Sequence, residues 1–212
     1  LYGPPKITFV ADVSGSMMPN MTILKNSLLA LIDMAGPGSC VRVLAFDETS
    51  ETIIKSTVLS KDSMITLKDC VRESLVNNGK STNLQQAIHA CLSGDVGKSE
   101  ELEESNLGSD PQLLQENLDC NEEQITLFAS DGFANLGLTS SKELLTFART
   151  FETYSKQTFY TLGIKLTPHV ELNSELLKDM ALDSGGSFRV TSTPEGIAEF
   201  LGDVFAHHYF VR

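Results

Sequence analysis

The sequence predicts an α/β fold: a doubly wound, mostly parallel six-stranded sheet with one antiparallel edge strand and helices on both of its faces. Short apolar runs, typical of buried strands, alternate along the chain with longer segments whose apolar residues recur at helical spacing. Two strand-like segments, 41–46 and 51–59, are separated only by a short polar turn, which indicates one antiparallel hairpin. The alternation elsewhere predicts parallel strands joined by right-handed crossovers.

The first predicted strand is followed directly by polar residues. Residues 6–16 have the sequence KITFVADVSGS, in which 7–11 form a short, mostly apolar run suited to a strand buried on both faces. A helix is predicted over 21–35, and Gly36 and Pro37 end it. The other predicted elements of this part are strands 41–46 and 51–59 and helices 61–75 and 83–92.

The C-terminal part repeats the alternation of strands and helices. Its first predicted strand, 124–129, again runs directly into a polar triplet, Ser130-Asp131-Gly132. Thr193 and Pro194 have the residue types preferred at a helix N-cap and first turn, so they indicate where the last helix begins. The predicted elements here are strands 124–129, 158–164 and 187–190 and helices 140–154, 172–182 and 194–207.

The composition is that of an ordinary globular chain and limits the possible partners. The 212 residues are 41% hydrophobic and 21% charged, which fits a single domain over 1–212, expected to be a piece of a longer protein because it begins at Leu1. The net charge of -12 argues against nucleic acid and anionic membranes. No apolar run approaches the ~20 residues of a membrane helix. We therefore expect no membrane insertion and a monomeric isolated domain.

One polar stretch interrupts the pattern and carries most of the negative charge. Between Asp95 and Glu123 the sequence has ten acidic side chains and one basic side chain, Lys98. The stretch is too long for an ordinary connection between a helix and a strand. We predict an acidic insertion at about 93–123.

The cysteines indicate neither disulfides nor a zinc site. Cys40, Cys70, Cys91 and Cys120 occur singly, with no CxxC pair. Buried free thiols are the interpretation we favour, and they point to a reducing, cytoplasmic setting. A glycosylation triplet at Asn20 points the other way, but a glycan there would crowd the loop that follows the first strand, so we discount it.

Three separated loops carry the candidate metal ligands. The first contains Asp12, Ser14 and Ser16, the second contains Thr82 at the head of a helix, and the third contains Asp131 at the end of a strand. In a doubly wound sheet such loops converge at the carboxyl edge of the strands. Two carboxylates and three hydroxyls form a hard oxygen set that suits Mg2+. The alternative is a strand-to-helix turn capped by Asp and Ser, without a metal.

These loops resemble a site known from one protein family. Asp12-Val13-Ser14-Gly15-Ser16, Thr82 and Ser130-Asp131-Gly132 are similar, in order, spacing and strand context, to the three parts of the metal-ion-dependent adhesion site of von Willebrand factor type A (vWA) domains. The resemblance covers about 6–208, apart from the acidic stretch. The segments around 160–164, 176–188 and 195–197 further resemble vWA domains of RING-type ubiquitin ligases and inter-alpha-inhibitor-like proteins.

The resemblance implies a function and a role for each residue. Asp12, Ser14 and Ser16 would ligate the cation, Thr82 would bind it in the ligand-bound form, and Asp131 would bind it directly or through a water. The cation would be Mg2+, with Mn2+ or Ca2+ possible, and would accept an Asp or Glu of a protein partner as its last ligand. The last helix would shift when that ligand binds.

Two other functions are alternatives to cation-dependent binding. One is a scaffold or interaction domain, of a ubiquitin-ligase-like or other multidomain protein, that binds through the acidic insertion. The other is a dehalogenase-type phosphatase, which needs a second Asp two residues after the first, where this chain has Ser14. No phosphate-binding GxxxxGK[ST] and no G-x-S-x-G elbow is present, so we predict that the protein is not an enzyme.

Overall fold

The computed structural model describes residues 5–93, 124–165 and 172–210. Six strands form one sheet in the order β3-β2-β1-β4-β5-β6, with β3 antiparallel to β2 at one edge and all other neighbours parallel. This confirms the predicted fold class. The strands are β1 Lys6–Asp12, β2 Cys40–Phe46, β3 Ser50–Val58, β4 Gln124–Ser130, β5 Gln157–Ile164 and β6 Phe188–Thr191.

Helices cover both faces of the sheet. On one face, Ile7 and Phe9 of β1 pack in a cluster with α1, α2 and α6; on the other, Val10 packs with α3, α4 and α5. Successive side chains of a strand point to opposite faces of the sheet, so alternate residues of β1 pack in two separate hydrophobic cores. The helices are α1 Met21–Ala35, α2 Lys61–Ser74, α3 Leu84–Leu92, α4 Ser141–Ala148, α5 Ser174–Asp183 and α6 Pro194–Phe210, with short 3-10 helices at Gly15–Asn20 and Glu152–Lys156.

The helix predicted over 140–154 is wrong in its second half. α4 ends at Ala148, and Phe151 has an extended backbone before the 3-10 helix begins. The Phe151 ring packs edge-on against Phe147 and His89, and Tyr154 is buried. If the helix continued, the side chains of Phe151 and Tyr154 would be carried away from the core. The packing of these two rings therefore decides where α4 ends, against the helical spacing of the apolar residues.

Several other expectations can be compared with the described residues. Among the described residues, Cys91 is buried, Cys40 and Cys70 are half-buried, and none of the three is in a disulfide, while Cys120 lies outside the described residues. Asn20 is 1% exposed, and its side-chain amide donates to the Ile164 carbonyl at 3.4 Å, so no glycan could be attached to it in this fold. Apart from Ser93, the predicted acidic insertion also lies outside the described residues.

A search of the described part of the chain for a long, apolar helix that could cross a membrane finds none.

Candidate metal centre

The carboxyl ends of the two central strands bring two predicted ligands together. Because β1 and β4 are neighbours, Asp12 at the end of β1 lies beside Ser130 at the end of β4. The Ser130 hydroxyl donates to Asp12 Oδ2 at 2.5 Å, and the Ser14 backbone N–H donates to Asp12 Oδ1 at 3.0 Å. Both carboxylate oxygens of Asp12 are therefore fixed in position, and Asp131 follows immediately after Ser130.

The first loop presents its hydroxyls at the opening of the site. Ser14 Oγ and Ser16 Oγ are 3.2 Å apart; Ser14 is fully buried and Ser16 is exposed. The Gly15 N–H donates to the Lys80 carbonyl at 2.8 Å. A Cβ on Gly15 would lie 3.2 Å from the Gly79 carbonyl carbon and oxygen, so a larger residue here would push the first and second loops apart by a few tenths of an ångström.

The second loop is tied to the third through Thr82. Its backbone N–H donates to Asn135 Oδ1 at 2.7 Å, and its carbonyl accepts from the Asn135 N–H at 3.1 Å. Asn83, the next residue, is the N-cap of α3, and its side chain accepts from the Gln86 N–H. Thr82 is 3% exposed. The cap fixes where the helix begins and so where Thr82 lies.

The third loop holds a buried carboxylate with an unsatisfied oxygen. Asp131 is 1% exposed; its Oδ1 accepts from the Phe133 N–H at 3.2 Å, and its Oδ2 has no hydrogen-bond partner among the described residues. Gly132 has φ +78°, and a Cβ there would lie 1.9 Å from the Asn173 carbonyl oxygen. The Asn173 N–H in turn donates to the Asp131 carbonyl at 3.0 Å. Glycine is therefore required at 132 to keep Asp131 in place.

The electrostatics of the site favour a bound cation. The pKa of Asp12 is raised to about 7, chiefly by burial and next by the nearby Asp131 charge, although hydrogen bonds from Ser130 and Ser14 act in the opposite direction. Two buried carboxylates at short range repel each other, and a divalent ion between them would remove that repulsion.

The oxygen set also fits a hard cation. Within the described ranges, no group of three or more His, Cys, Asp or Glu side chains could hold a metal. A metal here would therefore need hydroxyl oxygens to complete its ligand set, and Ser14, Ser16 and Thr82 are the hydroxyl residues predicted to supply them. Oxygen ligands with few carboxylates are the preference of Mg2+. The residues present thus fit the implied metal, and Asp131 Oδ2, which has no hydrogen-bond partner among the described residues, is available as a ligand.

Asp47 supports the second loop, a role that the sequence analysis missed. It follows β2, the other neighbour of β1, and it is 4% exposed. Its carboxylate accepts from the Thr49 N–H at 3.0 Å and from the Asn78 amide at 3.2 Å, and Lys80 Nζ lies 3.7 Å away. Burial alone would raise the pKa of Asp47, but these hydrogen bonds and the Lys80 charge lower it. Asp47 therefore holds the second loop as an ionised carboxylate.

Three further supporting residues were also not assigned from sequence. Ser130 orients Asp12, Asn135 positions Thr82, and Asn77 donates its side-chain amide to the Ser14 carbonyl. Asparagine in a polar loop is a turn signal, but nothing in the sequence says which distant backbone group it binds. Ser130 had the clearest signal, because it directly precedes a predicted ligand at the end of a predicted central strand.

Comparison with solved structures identifies the fold. The chain resembles a von Willebrand factor type A protein from Catenulispora acidiphila with a TM-score of 0.72 and 15% identity, over 96% of this chain and 42% of that one. It also resembles the conserved hypothetical protein BatB from Bacteroides thetaiotaomicron, with a TM-score of 0.63 and 14% identity, over 95% of this chain and 98% of that one. The protein therefore has the vWA fold.

A third solved structure contains a metal. Proximal thread matrix protein 1 from the mussel byssus, with a zinc-occupied MIDAS motif, matches with a TM-score of 0.63 and 15% identity, over 96% of this chain and 47% of that one. No family model and no curated protein matches the sequence. This chain spans less than half the length of the first and third of these structures.

Proposed function

We propose that the protein is a divalent-cation-dependent interaction module that binds an acidic side chain of a protein partner. The observation that carries the proposal is the pair of buried carboxylates, Asp12 and Asp131, with one Asp131 oxygen lacking any hydrogen-bond donor in the described chain. An unsatisfied buried carboxylate oxygen is costly, and a metal ion is one of the few groups that can satisfy it.

Each of the three loops would contribute predicted ligands to the ion. Asp12, Ser14 and Ser16 of the first loop, Thr82 of the second and Asp131 of the third would hold the ion, directly or through water. Such a set supplies few negative charges, so the bound ion stays electron-poor and keeps a position for an Asp or Glu from outside. When bound, the ion supplies a Lewis-acidic contact for that carboxylate.

Mg2+ is the cation we propose, because all the candidate ligands are hard oxygens. The zinc-occupied MIDAS motif of the mussel protein supports the idea that this fold can hold a divalent metal at such a site. Mn2+ and Ca2+ remain the alternatives to be compared directly.

We propose binding rather than catalysis. Ser14 stands where a dehalogenase-type phosphatase needs its second Asp, and the sequence has neither a phosphate-binding P-loop nor a nucleophile elbow. The resemblance to vWA domains in fold and in the order of the predicted ligands supports an adhesion-type role.

Calorimetry and a pull-down together test the proposal. The immobilised wild-type domain is incubated with a lysate in Mg2+ or in EDTA, the proteins released by EDTA are identified, and Mg2+, Mn2+ and Ca2+ are titrated by calorimetry. We expect Mg2+ to bind the wild type and a defined partner to be retained only when the metal is present.

Asp12→Ala is the decisive variant, and Asp179→Ala, at an exposed position on α5, is its matched control. Asp12→Ala should lose both metal and partner while circular dichroism shows the fold intact, and Asp179→Ala should behave as the wild type. Equal Mg2+ binding by Asp12→Ala and the wild type would refute the metal site.

The acidic stretch is a second candidate binding segment, favoured by its ten acidic side chains against one basic. α3 leads away from the Thr82 loop, and β4 begins at Gln124, so the described residues that flank the stretch, Ser93 and Gln124, lie at the edge of the sheet opposite the predicted metal site. Deleting 94–123 should abolish partner binding if this candidate is right, whereas Asp12→Ala should then leave binding unchanged.

A further inference from the structure

Large apolar side chains are exposed on every loop that carries a predicted metal ligand. Met18 on the first loop is 64% exposed, Val76 at the start of the second is 51% exposed, and Phe133 and Leu136 on the third are 36% and 42% exposed. Single exposed apolar residues are common on protein surfaces, but a set shared by three converging loops marks an interaction surface.

Short stretches of backbone hold these four side chains close to the predicted ligands. The Phe133 N–H donates to Asp131 Oδ1, and the Leu136 N–H donates to the Thr82 carbonyl at 3.2 Å. Val76 directly precedes Asn77, whose amide contacts the Ser14 carbonyl. Met18 is two residues beyond Ser16 on the same 3-10 helix, whereas its neighbour Met17 is fully buried. All four residues therefore lie on the three loops that carry the predicted ligands, at the same edge of the sheet as the exposed Ser16.

We propose that Met18, Val76, Phe133 and Leu136 form an apolar rim that binds large apolar side chains next to the acidic residue of an extended partner segment. The proposal rests on the function proposed above and adds the sequence class of the partner: Asp or Glu with Leu, Ile, Phe or Met within two positions. The rim residues would supply most of the contact area, and the metal would supply the specificity for an acid.

Charge complementarity argues for this occupant. A cation short of a ligand selects a carboxylate, while Lys80 on the second loop and Glu48 in the adjoining turn after β2 already have partners. Lys80 lies beside the ionised Asp47, and Glu48 Oε1 accepts from the Ser81 N–H at 3.4 Å. We therefore expect additional charged residues in the partner to add little to its affinity. Apolar residues next to the partner's acid should add more affinity, because they exclude water and so strengthen the contact between the carboxylate and the ion.

A displayed library of random peptides provides a defined probe. The domain is immobilised in Mg2+, bound peptides are eluted with EDTA, and their sequences are compared with the unselected library. We expect enrichment of one Asp or Glu with a large apolar residue within two positions on either side. The strongest selected peptide is then synthesised, and its affinity for the wild type is measured by calorimetry.

The rim variant replaces Met18, Val76, Phe133 and Leu136 by Ser. Its matched control replaces Ile65 and Leu182 by Ser, two apolar residues that are 67% and 62% exposed on α2 and α5 and carry no predicted ligand. We expect the rim variant to bind the selected peptide at least about tenfold more weakly than the wild type, with unchanged Mg2+ affinity. The control should bind both as the wild type does.

The possible failures separate this inference from the proposed function. Peptides enriched in an acid but not in apolar neighbours, or a rim variant with wild-type peptide affinity, would overturn the rim and leave the metal site standing. Peptides without an enriched acid would overturn both. A rim variant that also loses Mg2+ affinity would show that the four residues shape the loops, which contradicts a direct contact role.

Discussion

Ser130 shows how one hydroxyl connects a strand end to the predicted metal ligands. It is fully buried, donates to Asp12 Oδ2 at 2.5 Å and accepts from the Gly132 N–H at 2.9 Å. It therefore orients the carboxylate of the first loop and begins the turn that carries Asp131. The Ser130 hydroxyl therefore satisfies two buried polar groups, the Asp12 carboxylate and the Gly132 N–H.

Replacing Ser130 by Ala should lower the free energy of unfolding by about 1–3 kcal/mol, since it leaves a buried carboxylate oxygen and a buried N–H without their partner. Urea denaturation followed by circular dichroism measures the change. Ser155→Ala is the control, because that exposed hydroxyl donates to the Glu152 carbonyl of the same short helix, and it should change stability by less than about 0.5 kcal/mol. A Ser130→Ala variant as stable as this control would contradict the role assigned to Ser130.

At the scale of elements, a small polar network joins α4, α5 and the 3-10 helix before β5. Arg149 donates to both carboxylate oxygens of Asp183 through Nε and Nη2, and the Tyr154 hydroxyl donates to Asp183 Oδ2 at 3.0 Å. These hydrogen bonds, with that from Arg149 the largest, hold the pKa of Asp183 below its ordinary value. The network fixes the chain where the helix predicted over 140–154 breaks.

Asp183→Asn should therefore lower the melting temperature at neutral pH. A carboxylate whose pKa is lower in the folded than in the unfolded state stabilises the fold above its unfolded pKa and loses that effect as the pH falls through its folded pKa. The difference between variant and wild type should accordingly shrink below about pH 4. Thermal melts over a pH series test this. Asp179→Asn, exposed on the same helix, is the control, and an equal pH dependence of the two variants would contradict the network.

The two glycines within α6 have opposite surroundings. A Cβ at Gly202 would meet no atom of the described chain within 4 Å beyond its own helix backbone, whereas one at Gly196 would lie 2.2 Å from Thr191 Oγ1 at the end of β6. Gly202→Ala should raise the free energy of unfolding by about 0.5–1 kcal/mol, because alanine loses less backbone entropy in a helix. Gly196→Ala should lower stability instead, because the side chain of Thr191 must move. Chemical denaturation of the matched pair checks both, and a destabilising Gly202→Ala would contradict the open surroundings.

The fold of the whole molecule could be predicted from sequence because its signals are local. Apolar runs, helical spacing and the turn signals at Gly36 and Pro194 each act within a few residues. The alternation of strands and helices predicts parallel pairing with right-handed crossovers, whereas the order of the strands was not predicted and comes from the structure. The end of α4 could not be predicted, because contacts between Phe151 and a residue on a different helix, His89, decide it.

The predicted ligands could be proposed from sequence, but their supporting residues could not. Asp12, Thr82 and Asp131 each follow or precede a regular element, so the topology alone brings their loops to one edge. Asn135 and Asp47 act through hydrogen bonds to loops distant in sequence, and such pairs leave no pattern in the sequence. That these residues ligate a metal stays a prediction.

Metal binding should appear as a property of the whole fold. If Mg2+ joins three loops of the folded chain and has no comparable site in the unfolded chain, an ion concentration of 100 times Kd stabilises the fold by about 2.7 kcal/mol. For a domain of this size the melting temperature would rise by about 5–10 °C. EDTA should reverse the shift, Asp12→Ala should show none, and Asp179→Asn should keep it. An equal shift in Asp12→Ala would mean that the ion binds elsewhere, because the Asp12 carboxylate lies at the centre of the hydrogen bonds that join the first and third loops.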